Sequence, residues 1–168
     1  MFAVTGCNGF VGRHLCSELQ KSGLPFRGIQ REDVKGSFQI KDINSSTNWS
    51  NVLEGVEVVF HCAGCAHKNY KKLDPVSAYK EVNVNGTRRL AEQAAKLGVS
   101  KLIFISSIKV NGEITNRLNS PFDAQSPVQP SDAYAISKLE AEKALLTVSR
   151  ETGLKVVIVR PPLIYGPG

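Results

Sequence analysis

The sequence lacks several features that would place it in other classes of protein. No apolar run approaches the roughly 20 residues needed to span a bilayer, and the chain opens on a short apolar stretch instead of a charged leader segment. The formal charge is +6, yet the lysines and arginines are scattered and no basic run is interleaved with aromatic residues. We therefore expect no membrane span, no leader peptide and no nucleic-acid partner, and a cytoplasmic location.

Cysteine is also scarce, and its pattern is incomplete for a metal site. The four cysteines are Cys7, Cys16, Cys62 and Cys65. The last two form a C-x-x-C flanked by His61 and His67, an arrangement found in metal and redox sites. No second C-x-x-C or distant pair of histidines completes a ligand set at a familiar spacing. We therefore expect free thiols in a reducing compartment and no bound metal.

The length and the pattern of segments predict one α/β domain over residues 1–168. The apolar fraction of 42 % is enough for a single core, and no internal repeat is present. Strand-like and helix-like segments alternate, which predicts a doubly wound parallel sheet with right-handed crossovers. Strands are predicted at 2–5, 25–30, 37–41, 56–61, 101–106 and 154–160, and helices at 11–22, 47–54, 77–97 and 132–152. Gly23, Gly98 and Gly153 follow three of these helices, where a left-handed residue commonly ends a helix. The stretch 111–131 is predicted as a long surface loop.

A glycine-punctuated loop follows the first predicted strand. Gly6, Gly9 and Gly12 recur every three residues, and apolar residues at helical spacing come next. Between a strand and a helix, the first glycine allows a tight turn, the second allows close approach of a pyrophosphate, and the third allows helix and strand to pack closely. The spacing G-x-x-G-x-x-G differs from the usual G-x-G-x-x-G, and alone it is equally typical of a simple turn. Its position at the start of a strand–helix series favours dinucleotide binding.

Tyr134 and Lys138 form the second motif. A spacing of four on a helix puts the phenol and the ammonium on one face, about one turn apart. A cation held there is expected to lower the pKa of the tyrosine, which suits proton transfer in carbonyl–alcohol redox chemistry. Such pairs also occur on many solvated helices. Together with the glycine loop, however, the pair predicts an enzyme that uses a nicotinamide cofactor.

Further motifs accompany these two in a fixed order. They are T-G-x-x-G-F-V-G at 5–12, Asp42-Ile43, His61-Cys62-Ala63-Gly64, Asn83-Val84-Asn85-Gly86-Thr87, Phe104-Ile105-Ser106-Ser107, and Arg160-Pro161-Pro162 with Tyr165-Gly166-Pro167. With them the chain resembles the extended short-chain dehydrogenase/reductase family, and more closely its NAD-dependent epimerase/dehydratase branch, which acts on nucleotide sugars. The resemblance covers essentially the whole chain. It implies a Rossmann fold that lacks most of a C-terminal substrate-binding part, so we expect an N-terminal fragment of a longer enzyme.

The resemblance also implies roles for individual residues. Ser107 would orient the substrate oxygen, Tyr134 would be the general acid/base, and Lys138 would lower the pKa of Tyr134 and hold the nicotinamide ribose. A strand-ending role for Ser107 and a purely structural role for Asn83 stay open as alternatives. The implied cofactor-binding residues are Gly6, Asn8, Gly9, Phe10, Val11, Gly12, Gln30, Arg31, Asp42, Ile43, Cys62, Ala63, Gly64, Asn83, Ser106, Tyr134, Lys138, Pro161 and Pro162.

Two departures from the family pattern narrow the expected chemistry. Ile108 and Lys109 stand where the family's dehydratases carry an Asp-Glu pair, so a 4,6-dehydratase is not expected. A UDP-glucose 4-epimerase-like activity is the first expectation, a reductase of a UDP-4-keto-6-deoxy sugar the second, and a non-catalytic dinucleotide-binding sensor the third. Gln30 replaces the acidic residue of NAD-specific members, and Arg31 is suited to pair with a 2′-phosphate, so both NAD and NADP are retained as cofactors. A homodimer is allowed.

Overall fold

The computed structural model describes residues 1–32, 36–66, 75–115 and 121–167; His67 of the C-x-x-C segment lies outside them. Six parallel strands form one sheet in the order β3-β2-β1-β4-β5-β6. The strands are β1 (Phe2–Thr5), β2 (Phe26–Gln30), β3 (Phe38–Gln39), β4 (Val58–His61), β5 (Lys101–Ile105) and β6 (Lys155–Val159). The α-helices are α1 (Phe10–Lys21), α2 (Ser50–Leu53), α3 (Pro75–Tyr79), α4 (Thr87–Lys96) and α5 (Ala133–Thr152).

This architecture confirms the predicted doubly wound Rossmann fold. Strand order reverses between β1 and β4, so a crevice opens at their carboxyl ends, where such sheets bind ligands. The predicted helix-ending glycines are also confirmed, because Gly23, Gly98 and Gly153 have φ of 66°, 78° and 80°. In the described part of the chain, no helix has both the length and the apolarity to cross a bilayer.

The predicted helix 77–97 differs from the observed structure in its interior. Between α3 and α4 the chain forms a π-helical segment, Lys80–Gly86, and helical backbone runs unbroken from Pro75 to Lys96. A Cβ on Gly86 would come within 2.5 Å of the Ile43 side chain, so this segment packs tightly on the loop after β3. π-Helical turns are rare and often lie at functional sites. Apolar periodicity does not distinguish them from α-helix, which is why the sequence did not predict one.

The core is a continuous apolar cluster between the sheet and the helices. Its largest fully buried members include Trp49, Leu90, Leu102, Phe104 and Leu145, contributed by the loop before α2, by α4, by β5 and by α5. Burying a large apolar side chain stabilises a fold by roughly 1.5–3 kcal/mol, so these side chains fix the helices against the strands. The strand ends that carry polar residues are thereby held in place.

Candidate functional site

The glycine loop brings β1, α1 and the end of β4 into close contact. Gly6 has φ of 68°, and its N–H donates to the Ile29 carbonyl at 2.9 Å, while the Gly9 N–H donates to the Gly6 carbonyl at 2.9 Å. A Cβ on Gly6 would lie 2.8 Å from the backbone of Ala63, and one on Gly12 would overlap the Gly6 carbonyl oxygen. These approaches leave no room for a methyl group. The first N–H groups of α1 have no partner within the helix, so the loop offers donors to an anion.

A cleft of about 270 Å³ lies beside this loop, at the carboxyl ends of β1, β2 and β4. Ten of the predicted cofactor-binding residues line it: Gly6, Asn8, Gly9, Gln30, Arg31, Asp42, Ile43, Cys62, Ala63 and Gly64. The lining also includes Thr5, Ile29, Ile40, Cys65 and Val82, which the sequence analysis did not select. Four of these five are next to a predicted site residue in the sequence. That position was the signal from which they could have been predicted. A cleft lined by a glycine loop and by apolar residues such as Ile29, Ile40 and Ile43 fits a dinucleotide.

The loop that carries Asp42 and Ile43 is tied to the helices behind it. Glu81 accepts from both the backbone N–H and the hydroxyl of Ser45, at 2.8 and 2.7 Å. Gln93 accepts from the Trp49 N–H at 2.8 Å and donates to the Thr47 carbonyl at 2.7 Å. These hydrogen bonds fix the loop, so this wall of the cleft is formed before any ligand enters.

Gln30 and Arg31 occupy the end of β2, where the cofactor preference was predicted to be decided. The Gln30 amide donates to the Ser37 hydroxyl at 3.1 Å, and its oxygen accepts from the Cys7 thiol at 3.7 Å. The Arg31 side chain is exposed and lines the cleft. An exposed guanidinium beside an uncharged amide allows a phosphate on the ribose.

The four cysteines are free thiols. Burial raises the pKa of Cys62 to about 12, so this thiol in the cleft is protonated at neutral pH. Among the described residues there is no cluster of metal-ligating side chains.

Ten predicted site residues are not part of the cleft lining: Phe10, Val11, Gly12, Asn83, Ser106, Ser107, Tyr134, Lys138, Pro161 and Pro162. Phe10 instead faces the segment after β6, with its ring 3.6 Å from where a Cβ on Gly166 would lie. The Pro161 carbonyl accepts from the Ile108 N–H at 3.0 Å, so this segment runs beside the residues that follow β5.

Asn83 holds the loop after β4 with its whole amide. Its oxygen accepts from the Cys65 N–H at 2.7 Å, and its nitrogen donates to the Cys65 carbonyl and to the Ser137 hydroxyl, each at 3.0 Å. Asn83 is 2 % exposed. These contacts give it the structural role that was left open, and a cofactor contact remains a prediction.

Lys138 lies in the wall of the site with its ammonium buried. The side chain is 4 % exposed, Nζ is 4.3 Å from the centre of the Phe104 ring, and it is 3.7 Å from where a Cβ on Gly64 would lie. Burial lowers the pKa of Lys138 to about 8, against a smaller opposing effect of Glu142. The ammonium therefore lies next to Gly64 in the cleft wall, and the ribose contact that the resemblance implies for Lys138 remains a prediction.

The pKa of Tyr134 moves opposite to the direction that the sequence predicts. Burial raises it most, electrostatic interactions with Asp132 and Tyr79 add to the rise, and Lys109 lowers it. Tyr134 is half-buried, and its ring lies edge-on to Tyr79 with centroids 6.0 Å apart. Helical spacing correctly places Lys138 one turn away, but the lysine side chain leads its charge toward Phe104.

Ser107 lies at the carboxyl end of β5 and begins a short 3₁₀ turn, Ile108–Val110. Its hydroxyl accepts from the Lys109 N–H at 3.3 Å. A hydroxyl that accepts one hydrogen bond can still donate its own hydrogen to a substrate oxygen. Ser107 thus both ends the strand and keeps the capacity for the role that the resemblance implies.

A buried ionic network underlies this end of the sheet. Glu142 on α5 is 2 % exposed and accepts from the Ser106 hydroxyl at 2.5 Å. Arg160, just after β6, donates Nε and Nη2 to the two oxygens of Glu142 at 2.9 and 2.6 Å, and Nη1 to Asn111 at 3.2 Å. The pKa of Arg160 is raised by its hydrogen bond to Glu142. Glu142 was not predicted as a site residue, because nothing in the local sequence marks a helix carboxylate as buried.

The chain matches a known family along nearly its whole length. Residues 2–168 match the family model described as the NAD dependent epimerase/dehydratase family. UDP-glucose 4-epimerase of Vibrio cholerae is 43 % identical over 171 residues, which cover 98 % of this chain and 52 % of that protein. Human sterol-4-alpha-carboxylate 3-dehydrogenase, decarboxylating, is 30 % identical, with 98 % of this chain and 44 % of that protein covered.

Solved structures agree with this match. A short-chain dehydrogenase/reductase superfamily protein from Agrobacterium tumefaciens with bound NAD has a TM-score of 0.80 and 29 % identity, covering 95 % of this chain and 48 % of that one. UDP-glucose 4-epimerase of Thermotoga maritima with UDP-glucose has a TM-score of 0.76 and 25 % identity, covering 95 % and 54 %. The chain spans about half the length of the proteins it matches.

Proposed function

The chain belongs to the NAD dependent epimerase/dehydratase family, a branch of the extended short-chain dehydrogenases/reductases, and from this membership we propose that it serves a nucleotide-sugar epimerase. Its cofactor is NAD or NADP, in keeping with neighbours solved with NAD. The proposed reaction is epimerisation at C4 of a UDP-linked sugar, as the names of the Vibrio cholerae and Thermotoga maritima proteins suggest.

One observation carries this proposal above a non-catalytic sensor. The buried ammonium of Lys138 reaches the wall of the dinucleotide cleft at Gly64, and Tyr134 stands one turn before it on the same helix. A protein that only binds a dinucleotide needs the glycine loop but has no use for Ser107, Tyr134 and Lys138 together. Burying an ammonium costs free energy, and a functional site is where such a cost is usually met.

The residues divide the work as follows. A bound nicotinamide supplies hydride acceptance and return at one sugar carbon. Tyr134 takes the proton from the hydroxyl on that carbon and gives it back, while Ser107 donates a hydrogen bond to the same oxygen. Lys138 would contact the cofactor ribose from its place beside Gly64. The glycine loop and the start of α1 bind the pyrophosphate.

Reduction of a UDP-4-keto-6-deoxy sugar is a second candidate. It is favoured by Arg31 and Gln30, which line the cleft where a 2′-phosphate of NADPH would lie. A reductase consumes one NADPH for each turnover, whereas an epimerase returns its cofactor unchanged. Dehydration stays unsupported, because Lys109 is ion-paired with Asp132 and offers no carboxylate for eliminating water.

The two candidates are separated by incubating the whole protein with UDP-sugars and UDP-4-keto-6-deoxy sugars, with and without NADPH. Conversion of UDP-glucose or UDP-galactose without added cofactor supports the epimerase. Stoichiometric loss of NADPH with a keto sugar supports the reductase. Dinucleotide binding with no turnover of any of these sugars supports the sensor and contradicts both.

Tyr134→Phe removes the proton carrier and keeps the ring. We expect turnover to fall by roughly 100- to 10,000-fold, the usual contribution of general acid–base catalysis. Dinucleotide affinity, measured by calorimetry on the same variant, should stay within about twofold because the glycine loop is unchanged. Turnover within a few-fold of wild type would remove Tyr134 from the mechanism.

A further inference from the structure

Lys109 makes an ion pair at the point where the two catalytic elements meet. Its Nζ donates to Asp132 Oδ2 at 2.7 Å and to Glu113 Oε1 at 3.2 Å. The other oxygen of Asp132 accepts from the Ala135 N–H at 2.6 Å, which caps the start of α5. Both oxygens of this carboxylate are therefore in use, one by the helix and one by Lys109.

The backbone of Lys109 reaches the other catalytic element. Its N–H donates to the Ser107 hydroxyl at 3.3 Å, within the turn that follows β5. One residue thus contacts the proposed catalytic hydroxyl through its main chain and the first turn of the Tyr134 helix through its side chain. The connection joins residues 23 positions apart along the chain.

The charges around Tyr134 give this ion pair an electrostatic consequence. Asp132 precedes Tyr134 by two residues, and its negative charge disfavours the phenolate, as do Tyr79 on α3 and Cys65 after β4. Lys109 acts in the opposite direction. On the same helix, the ammonium of Lys138 lies against Phe104, and the carboxylate of Glu142 is paired with Arg160.

We propose that Lys109 is a positioning residue, which holds the Ser107 turn against the Tyr134 helix and neutralises Asp132 so that Tyr134 can release its proton. This rests on the proposed function, since the deprotonated tyrosine is the base that accepts the proton of the sugar hydroxyl. Asp132 caps α5, and its negative charge lies close to the proposed acid/base, Tyr134. Lys109 neutralises this charge, so that the cap does not hinder proton transfer.

Exposure separates this role from a contribution to folding. The side chains of Lys109 and Asp132 are 37 % and 39 % exposed, and ion pairs so exposed contribute little to stability. We therefore expect Lys109→Met to shift the titration of Tyr134 upward while the melting temperature changes by only about 2 °C. A residue needed only for folding would give the reverse.

The titration is measured by NMR on protein carrying ¹³C at the hydroxyl-bearing carbon of its four tyrosines. The resonance of Tyr134 is the one lost in Tyr134→Phe. We expect a higher pKa of Tyr134 in Lys109→Met, a lower one in Asp132→Asn, near-wild-type titration in the double variant, and near-wild-type titration in Lys109→Arg. Lys21→Met, which breaks an exposed ion pair of the same 2.7 Å length on α1, is the matched control.

The rate of the whole protein gives a second readout. For Lys109→Met we expect kcat at neutral pH to fall roughly tenfold, with an alkaline shift of the pH profile, and KM to stay within about twofold. An unchanged Tyr134 titration in Lys109→Met, or an equal shift in Lys21→Met, overturns the proposal. The NMR titration needs no substrate, so a protein that turns over no sugar contradicts the proposed function and leaves this proposal to be decided by the titration.

Discussion

The two halves of the sheet, β1 with β2 and β5 with β6, form their parts of the site through different interactions. In the half with β1 and β2, the site depends on glycines. Gly6 and Gly12 allow backbone segments to lie in direct contact, and no charged pair takes part in that loop contact. In the half with β5 and β6, the site depends on two ion pairs, Glu142 with Arg160 and Lys109 with Asp132. The first arrangement depends on excluded volume and the second on charge balance.

Because of this difference, substitutions in the two halves should have different effects on stability and on dinucleotide binding. A single methyl group in the glycine loop would have to displace backbone, which is stiff, so the damage falls on both packing and pyrophosphate binding. Removing one partner of a buried ion pair leaves the other partner charged and without compensation. We therefore expect variants of the glycine loop to lose both stability and dinucleotide affinity, and variants of the Glu142 pair to lose mainly stability.

Glu142→Ala should have the largest effect on stability. It leaves Arg160 and Ser106 without the carboxylate that accepts from both, in a site where Glu142 is 2 % exposed. The guanidinium left behind is 22 % exposed and can be partly solvated, so the free energy of unfolding in urea should fall by about 3 kcal/mol, the lower end for breaking a buried pair. Glu18→Ala breaks an exposed ion pair with Lys21 and is the control, expected to cost below about 1 kcal/mol. Similar losses in both variants would show that the network is not a stabilising element.

Gly12→Ala should come next and should damage binding as well. Its methyl group would overlap the Gly6 carbonyl oxygen, so we expect a loss of about 1–3 kcal/mol of stability and at least roughly tenfold weaker dinucleotide binding by calorimetry. Gly23→Ala is the control: Gly23 has φ of 66° and no atom within 4 Å of its Cβ position, so only backbone strain is added. Dinucleotide affinity should survive in Gly23→Ala. If both variants bind equally, the close packing of the loop is not what forms the site.

The same division explains what the sequence could predict. Gly6, Gly9 and Gly12 lie close together along the chain, so their spacing alone indicated the loop, and the order of segments indicated the fold. The partner of Glu142 is 18 positions away and that of Lys109 is 23 away, beyond any local periodicity. Burial of a charge is a property of the packed structure.

The sequence predicted a lowered pKa for Tyr134, and this direction is wrong because it too depends on the packed structure. Helical spacing gives the position of Lys138 along α5, but not the direction in which its long side chain leads the charge. That direction is set by Phe104 on β5, with which Nζ makes a cation–π contact. Nor does spacing report the carboxylate of Asp132, whose place beside Tyr134 follows from capping the helix.

His61 ends β4, the strand between β1 and β5, and it should make the stability of the fold depend on pH. Its Nδ1 and Nε2 are hydrogen-bonded to Thr5 at 2.7 Å and Thr87 at 2.9 Å, and its ring stacks on Phe104. Burial lowers the pKa of His61 to about 3, from 6.5, so the folded state holds the neutral ring. Below pH 6.5 the unfolded chain takes up the proton first, and stability falls as the pH decreases toward 3.

The slope should approach about 1.4 kcal/mol per pH unit, the value for one proton. Urea unfolding between pH 6.5 and 4.5 measures it. His61→Gln, which can keep a donor and an acceptor, should flatten the dependence, whereas His14→Gln at an exposed position of α1 should not. A wild-type protein whose stability does not change across this range would show that His61 is not held neutral.

Arg31→Ala should have the smallest effect, because Arg31 is exposed and solvent screens its charge. If its guanidinium pairs with a 2′-phosphate, NADPH affinity should fall roughly tenfold, near the lower end for a charged hydrogen bond, and NADH affinity should hardly change. Arg88→Ala removes the same charge from an exposed site on α4 and is the control for net charge. Equal losses for both cofactors would mean that Arg31 does not contact the phosphate. Cofactor preference would then have to come from elsewhere in the protein.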